Sequence, residues 1–108
     1  MKFKVLPSLR LKKRYIAFRM LSSGPVSKTN LKDALQASIR DWVGVKGLGE
    51  SGFSLLRWNE RTGEGIIRCG HLWVDDIKLA MALLHQIGDE KVILASYRVS
   101  GTLKGLEK

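Results

Sequence analysis

Twice along this chain the apolar residues change their spacing, from every second position to every third or fourth and back. From Arg14 to Leu21 they alternate: Ile16, Phe18 and Met20 share one side, and Tyr15, Ala17 and Arg19 the other. That period belongs to a half-buried strand. A turn cluster follows, Ser22 to Asn30. Leu31, Ala34, Leu35, Ser38, Ile39, Trp42 and Val43 then recur at the spacing of one helical face, with Lys32, Asp33 and Arg40 opposite. Ser27 or Asn30 is placed to cap this helix at its start, and Gly44 at its end. The glycine-rich stretch Gly44 to Gly52 predicts a flexible connection.

The second cycle begins with two short β-rich runs, Phe53 to Asn59 and Glu64 to Gly70. Glu60 to Gly63 joins them as a hairpin turn, with Gly63 available for positive φ. A helix is predicted from Val74 to Gly88, with Ile77, Ala80, Met81, Leu84 and Ile87 as its stripe and Asp75 and Asp76 favourably placed near its N-terminus. Glu90 to Ser100 is a last strand. The order βαββαβ predicts an α+β sandwich, ferredoxin-like or RNA-recognition-like: a four-stranded antiparallel sheet with two helices on one face and the first and third strands central. The expected organisation is a basic N-terminal arm over residues 1–12, one domain over 13–100 and a C-terminal tail over 101–108.

A chain of 108 residues supports one modest core, and 44% hydrophobic content excludes global disorder. No apolar run is long enough to span a bilayer and no signal-peptide core stands near the start, so a cytoplasmic protein is expected. The lone Cys69 excludes an internal disulfide and any Cys-pair zinc ribbon.

Charge is the feature that points to a partner. The formal net charge is +9, and residues 1–19 hold seven basic side chains and no acid. A positive field concentrated on one segment attracts polyanions and speeds encounter with them. Pro7 interrupts any amphipathic helix there, and Leu6, Leu9 and Leu11 form a poor apolar face, which disfavours a membrane surface. Nucleic acid is the expected partner.

No motif predicts catalysis or a metal. Asp75 and Asp76 are adjacent and diverge on a helix by about 100°. His71 lies close to these two in sequence, but macrodipole capping is the stronger reading of the pair. His85 sits mid-helix beside the apolar stripe, where a surface or half-buried structural role is expected, and Cys69 lies in an apolar stretch that suits a small core residue. The third strand carries no aromatic, which leaves Tyr15 the only candidate for stacking on a base. The outer face of the sheet is therefore expected to be covered by a partner or by the protein's own termini. Two readings of Gly44 to Gly52 stand: a mobile linker, or a loop that orders against RNA or another subunit with Lys46 at hand. Two also stand for Val99 to Leu106: a plain reversal, or exposed N–H groups that hold a phosphate beside Lys104.

Three stretches, "LPSLRLKKRYIAFRM", "GEGIIRC" and "VSGTLKGL", together with the order of elements, resemble the archaeal and eukaryal ribonuclease P protein subunits of the Pop-five type. The resemblance runs from about Leu6 to Leu106. It implies a non-catalytic subunit that supports a catalytic RNA in removing the 5′ leader from precursor tRNA. It implies ribonuclease P RNA and precursor tRNA as partners, and a TIM-barrel-like subunit of the Rpp-thirty type. It also implies a heterotetramer through self-association, no membrane, and no cofactor bound by the protein, magnesium serving the RNA. The basic residues of the matching stretches are Arg10, Lys12, Lys13, Arg14, Arg19, Arg68 and Lys104; these are the candidate RNA contacts, with no catalytic and no metal residues. The alternative is a ribosome-associated or other small RNA-binding protein of the same fold. A free-standing acyl-phosphate hydrolase on this scaffold would require an anion cradle with Arg and Asn beside the first strand, and Asn59 is isolated.

Overall fold

The structure, a computed structural model, describes residues 12–106, so most of the basic arm, Arg10 included, and the last two residues lie outside it. The elements are β1 (Lys13–Ser22), α1 (Lys28–Ser51), β2 (Ser54–Asn59), β3 (Glu64–Gly70), a 3-10 turn (His71–Trp73), α2 (Val74–Leu83), β4 (Gln86–Ile87), β5 (Glu90–Ser100) and α3 (Leu103–Leu106). The strands lie in the order β2-β3-β1-β5-β4, and every neighbouring pair is antiparallel. The architecture is α+β, with β1 and β3 central as expected, but the sheet has five strands where four were predicted.

The added strand comes from the end of the predicted second helix. α2 stops at Leu83; Leu84 is extended, and Gln86–Ile87 pairs with Glu90 and Lys91 across a turn at Gly88, whose φ is +59°. Leu84 and Ile87 fit a helical stripe, yet Ile87 reaches the same core from a strand. Gly88 therefore serves a hairpin, where only glycine takes that φ without strain.

The inner face of the sheet packs against both long helices. Ile16 and Phe18 from β1, Ile67 from β3, Leu31, Leu35 and Ile39 from α1, and Ile77 and Met81 from α2 are fully or almost fully buried. Burying each such side chain contributes roughly 1.5–3 kcal/mol. Ser27 caps α1, its hydroxyl accepting from the Asn30 backbone N–H at 3.2 Å. Between the helices, the Ser38 hydroxyl donates to the Ala80 carbonyl at 2.8 Å and the Trp42 indole N–H donates to Asp76 at 3.0 Å.

Across the sheet, Phe18 stands opposite Gly65, which stands opposite Trp58. The two rings stack 8° from parallel with centroids 6.1 Å apart, and the indole N–H donates to the Val26 carbonyl at 2.8 Å. A Cβ on Gly65 would lie 2.5 Å from the Phe18 ring and 2.9 Å from the Arg57 carbonyl. Glycine is thus what lets the rings close over β3.

The predicted flexible connection at Gly44 to Gly52 is helical instead. Gly44 breaks the helix with φ +83°, but residues beyond it continue to Ser51, and Gly52 ends the run in the left-handed conformation. Gly47 is buried: a Cβ there would lie 2.7 Å from Val43 and 3.4 Å from the Trp73 ring. Close packing, not mobility, explains that glycine.

Cys69 is buried, and burial pushes its thiol up to about 11. The neutral thiol is therefore favoured by folding. Its contribution is complete below about pH 9 and is lost as pH rises through 11. Stability measured by denaturant titration should fall over that window, and Cys69→Ala should flatten the fall by an amount of order 2 kcal/mol. In the same assay at neutral pH, Gly65→Ala should cost about 1–3 kcal/mol by overpacking the Phe18–Trp58 row; no loss would show that the rings yield freely.

Candidate nucleic-acid interface

Because side chains alternate along a strand, β1 sends Lys13 and Arg19 to the face opposite its core residues. Lys13, Tyr15, Ala17 and Arg19 project outward, away from the helices. Their neighbours in register are Gly70, Arg68, Ile66 and Glu64 on β3. Lys13 and Arg68 are diagonal neighbours and line one small cleft of about 200 Å³ at the end of the sheet, beside Gly52. Arg14 belongs to the inner register, but at the uncovered end of the sheet; it is half-buried, donates to the Lys13 carbonyl at 3.1 Å and lies beside Gly101. α3, which carries exposed Lys104, follows Gly101 after one intervening residue and packs against β5 and β1.

The exit of the basic arm is held in place. The Lys12 backbone N–H donates to Nδ1 of His71 at 2.9 Å, and the His71 N–H donates to the Lys12 carbonyl at 2.6 Å. This pair extends the β1–β3 ladder by one residue into the 3-10 turn. It requires Nδ1 to be an acceptor, so the imidazole proton sits on Nε2. His71, which the sequence sets beside Asp75 and Asp76, is instead the clasp at the arm's exit.

Arg19 stands apart from this group. It pairs with Glu64 at 3.6 Å, with both side chains substantially exposed. Glu64 also accepts from the Tyr97 hydroxyl at 3.2 Å. Tyr97 lies on β5 and Glu64 on β3, so the tyrosine reaches across β1 between them. Desolvation, then the Glu64 hydrogen bond, pushes the phenol up from its ordinary value, and it remains a donor above neutral pH.

Three outward residues escaped the sequence reading. Arg57 and Arg98 stand in register with Ile66 and Ala17 on the outer face, and both are exposed. Tyr97 faces the same way, in step with exposed Ile93 and Ala95 and out of step with buried Val92 and Leu94. Alternation within β5 could have revealed Tyr97. Arg57 and Arg98 follow register shifts, at Leu55/Arg57 and opposite Ala17/Phe18, and such bulges have no sequence signal strong enough to place them. The outer face is partly covered by the chain's own C-terminal end, since Leu106 lines a cleft with Ala17 and Tyr97.

The remaining candidate groups are committed locally. The Asn59 side-chain carbonyl accepts from the Arg61 and Thr62 N–H groups and shapes the hairpin, rather than cradling an anion beside β1. The Cys69 thiol is protonated and enclosed. His85 Nδ1 faces the Leu83 carbonyl at 3.3 Å. Among the described residues, no group of three or more His, Cys, Asp or Glu is arranged to hold a metal ion, and no helix is long and apolar enough to cross a membrane.

Fold and surface together define a small, strongly basic α+β protein whose cations gather on the outer face and one end of an antiparallel sheet. A family model described as Rpp14/Pop5 family matches residues 14–108, and the chain belongs to that family. It is 35% identical over 102 residues to ribonuclease P protein component 2 of Pyrococcus furiosus, covering 94% of this chain and 85% of that one. It is likewise 35% identical over 101 residues to ribonuclease P protein component 2 of Methanosarcina barkeri, covering 94% and 73%. In fold it is similar to a chain in the cryo-EM structure of yeast ribonuclease MRP, with a TM-score of 0.68 at 14% identity over 87% of this chain and 77% of that one.

His71→Ala removes one of the two bonds that fix Lys12. Hydrogen exchange at the Lys12 amide should then accelerate roughly fivefold, the equivalent of about 1 kcal/mol, while the Ile16 and Phe18 amides keep their protection. Unchanged exchange at Lys12 would show that the clasp does not hold the arm.

Proposed function

We propose that this chain is a protein subunit of ribonuclease P that supports the catalytic RNA during removal of the 5′ leader from precursor tRNA. Membership of the Rpp14/Pop5 family is the observation that carries the reading. The reaction is assigned to the RNA, and the chain contributes fixed positive charge. Its RNA contacts are Lys12, Lys13, Arg14, Arg68 and Lys104, together with Arg10 and the rest of the arm; Arg19 contributes through its pairing with Glu64.

The physical need is clear. Cleavage brings together two polyanions, the ribozyme and its substrate, and their repulsion opposes assembly and weakens retention of catalytic magnesium. Cations on a rigid sheet relieve that repulsion without a fresh ordering cost at each encounter. In this reading magnesium serves the RNA and the protein supplies the fixed positive charge.

Protein partners fit the same reading. Trp42, Val45, Leu79 and Leu83 on the helical side, and Leu21 and Ile93 on the strands, are large apolar residues left exposed. Such residues suit contacts with other subunits. A TIM-barrel-like subunit of the Rpp-thirty type and a second copy of this chain, forming a heterotetramer, are the partners proposed, in a cytoplasmic ribonucleoprotein.

The test is precursor-tRNA cleavage reconstituted with the ribozyme RNA, with and without this chain and its Rpp-thirty-type companion. The chain should lower the magnesium needed for half-maximal cleavage. Replacing Lys12, Lys13, Arg14 and Arg68 together by Ala should raise that requirement again and flatten the salt dependence of RNA binding by roughly one unit of log–log slope per lost phosphate contact. Equal magnesium requirement and equal slope in the variant would remove these residues from the interface.

A further inference from the structure

On the outer face of the sheet, between Tyr97 and the β2–β3 hairpin, lies an open cleft of about 570 Å³. This volume falls within the roughly 300–1,000 Å³ typical of small-ligand sites. Its floor is Ala17 and Ile66, which are register partners on β1 and β3. Tyr97 and Leu106 line it, and Ala17 is only 4% exposed although it faces outward.

Tyr97 is the unusual feature. The residue is 59% exposed, yet its hydroxyl is tied to Glu64, which in turn pairs with Arg19. An exposed aromatic held at both ends is ordered before any ligand arrives, so little side-chain entropy remains to be lost on stacking. Around it stand groups that suit the rest of a nucleotide. Lys28 and Arg57 line the cleft as cations, and the Lys28 ammonium lies 3.4 Å from the Leu56 carbonyl. Asn59 uses its side-chain carbonyl in the hairpin, which turns its amide N–H groups into available donors.

We propose that this cleft receives one unpaired nucleotide of a single-stranded RNA segment, with the base on Tyr97 above Ala17 and Ile66 and the phosphate beside Lys28 and Arg57. The proposal rests on the reading of the chain as RNA-binding and adds a second mode to it. The arm end of the sheet offers charge, which accepts any backbone. The cleft offers a ring over an apolar floor, and a base within a duplex cannot present its face there.

The full chain should be photo-crosslinked to a short oligouridylate carrying 4-thiouridine and digested with trypsin. The crosslink should fall on the peptide between Lys91 and Arg98, which contains Tyr97. Tyr97→Ala should weaken binding of the single strand about tenfold and Tyr97→Phe by no more than about twofold, since the ring supplies the stacking. A duplex RNA of equal length should bind all three proteins alike. Uridine monophosphate should leave the crosslink in place; displacement by it would give the cleft to a free nucleotide and overturn the proposal. Unchanged single-strand affinity in Tyr97→Ala would overturn it too, as would parallel losses for single strand and duplex. Failure of the unaltered protein to bind either RNA would defeat the RNA-binding reading itself, a result distinguishable from a Tyr97 variant that loses nothing.

Discussion

The register of β1 is the constraint on which the rest of this molecule depends. It lies between β3 and β5, hydrogen-bonded along both edges, and it carries two incompatible sets of side chains. Ile16, Phe18 and Met20 must be dry, while Lys13 and Arg19 must be wet. A slip of one residue would exchange Phe18 for Arg19 in the core, which no helix packed above could accept. The Phe18–Gly65–Trp58 row guards against that slip. Only where Gly65 faces Phe18 is there room for the two rings, and Trp58 is further tied to Val26 ahead of α1.

One consequence is that charge placement is a by-product of core formation. Once Phe18 and Ile16 are buried, Lys13 and Arg19 have to face outward, and Arg68 and Arg57 fall onto the same surface through pairing. The outer face then collects cations from several strands that are distant in sequence, with Glu64 holding Arg19 and Tyr97 in one small network. The arm adds further charge, and His71 fixes Lys12, the point where it joins the sheet. A polyanion would thus meet a fixed surface and an arm whose origin is fixed.

What was legible in the sequence was local. The alternation of β1 and the stripe of α1 depend only on nearest neighbours along each element, and both describe the structure. So do the Ser27 cap and the positive-φ turn at Gly63. The glycines of 44–52 misled because glycine answers two different needs. Gly44 does break the helix, but Gly47 is there because the Val43 side chain leaves no space for a Cβ, with the Trp73 ring packed alongside. Leu84 and Ile87 misled because a helical stripe and a two-residue strand can bury the same side chains. The choice was made by pairing with β5, which a local pattern does not contain.

By itself, therefore, the sequence determined the class of fold, the strong positive charge and the identity of the cations nearest β1, because those follow from composition and from periods of a few residues. Only the tertiary structure decided which cations share a face, that His71 clasps Lys12, that Arg19 is paired, and that Tyr97 lies across the sheet. Each of these joins residues on different strands or turns. Such contacts come from strand order, register and a bulge, and those are properties of the assembled sheet rather than of any segment within it.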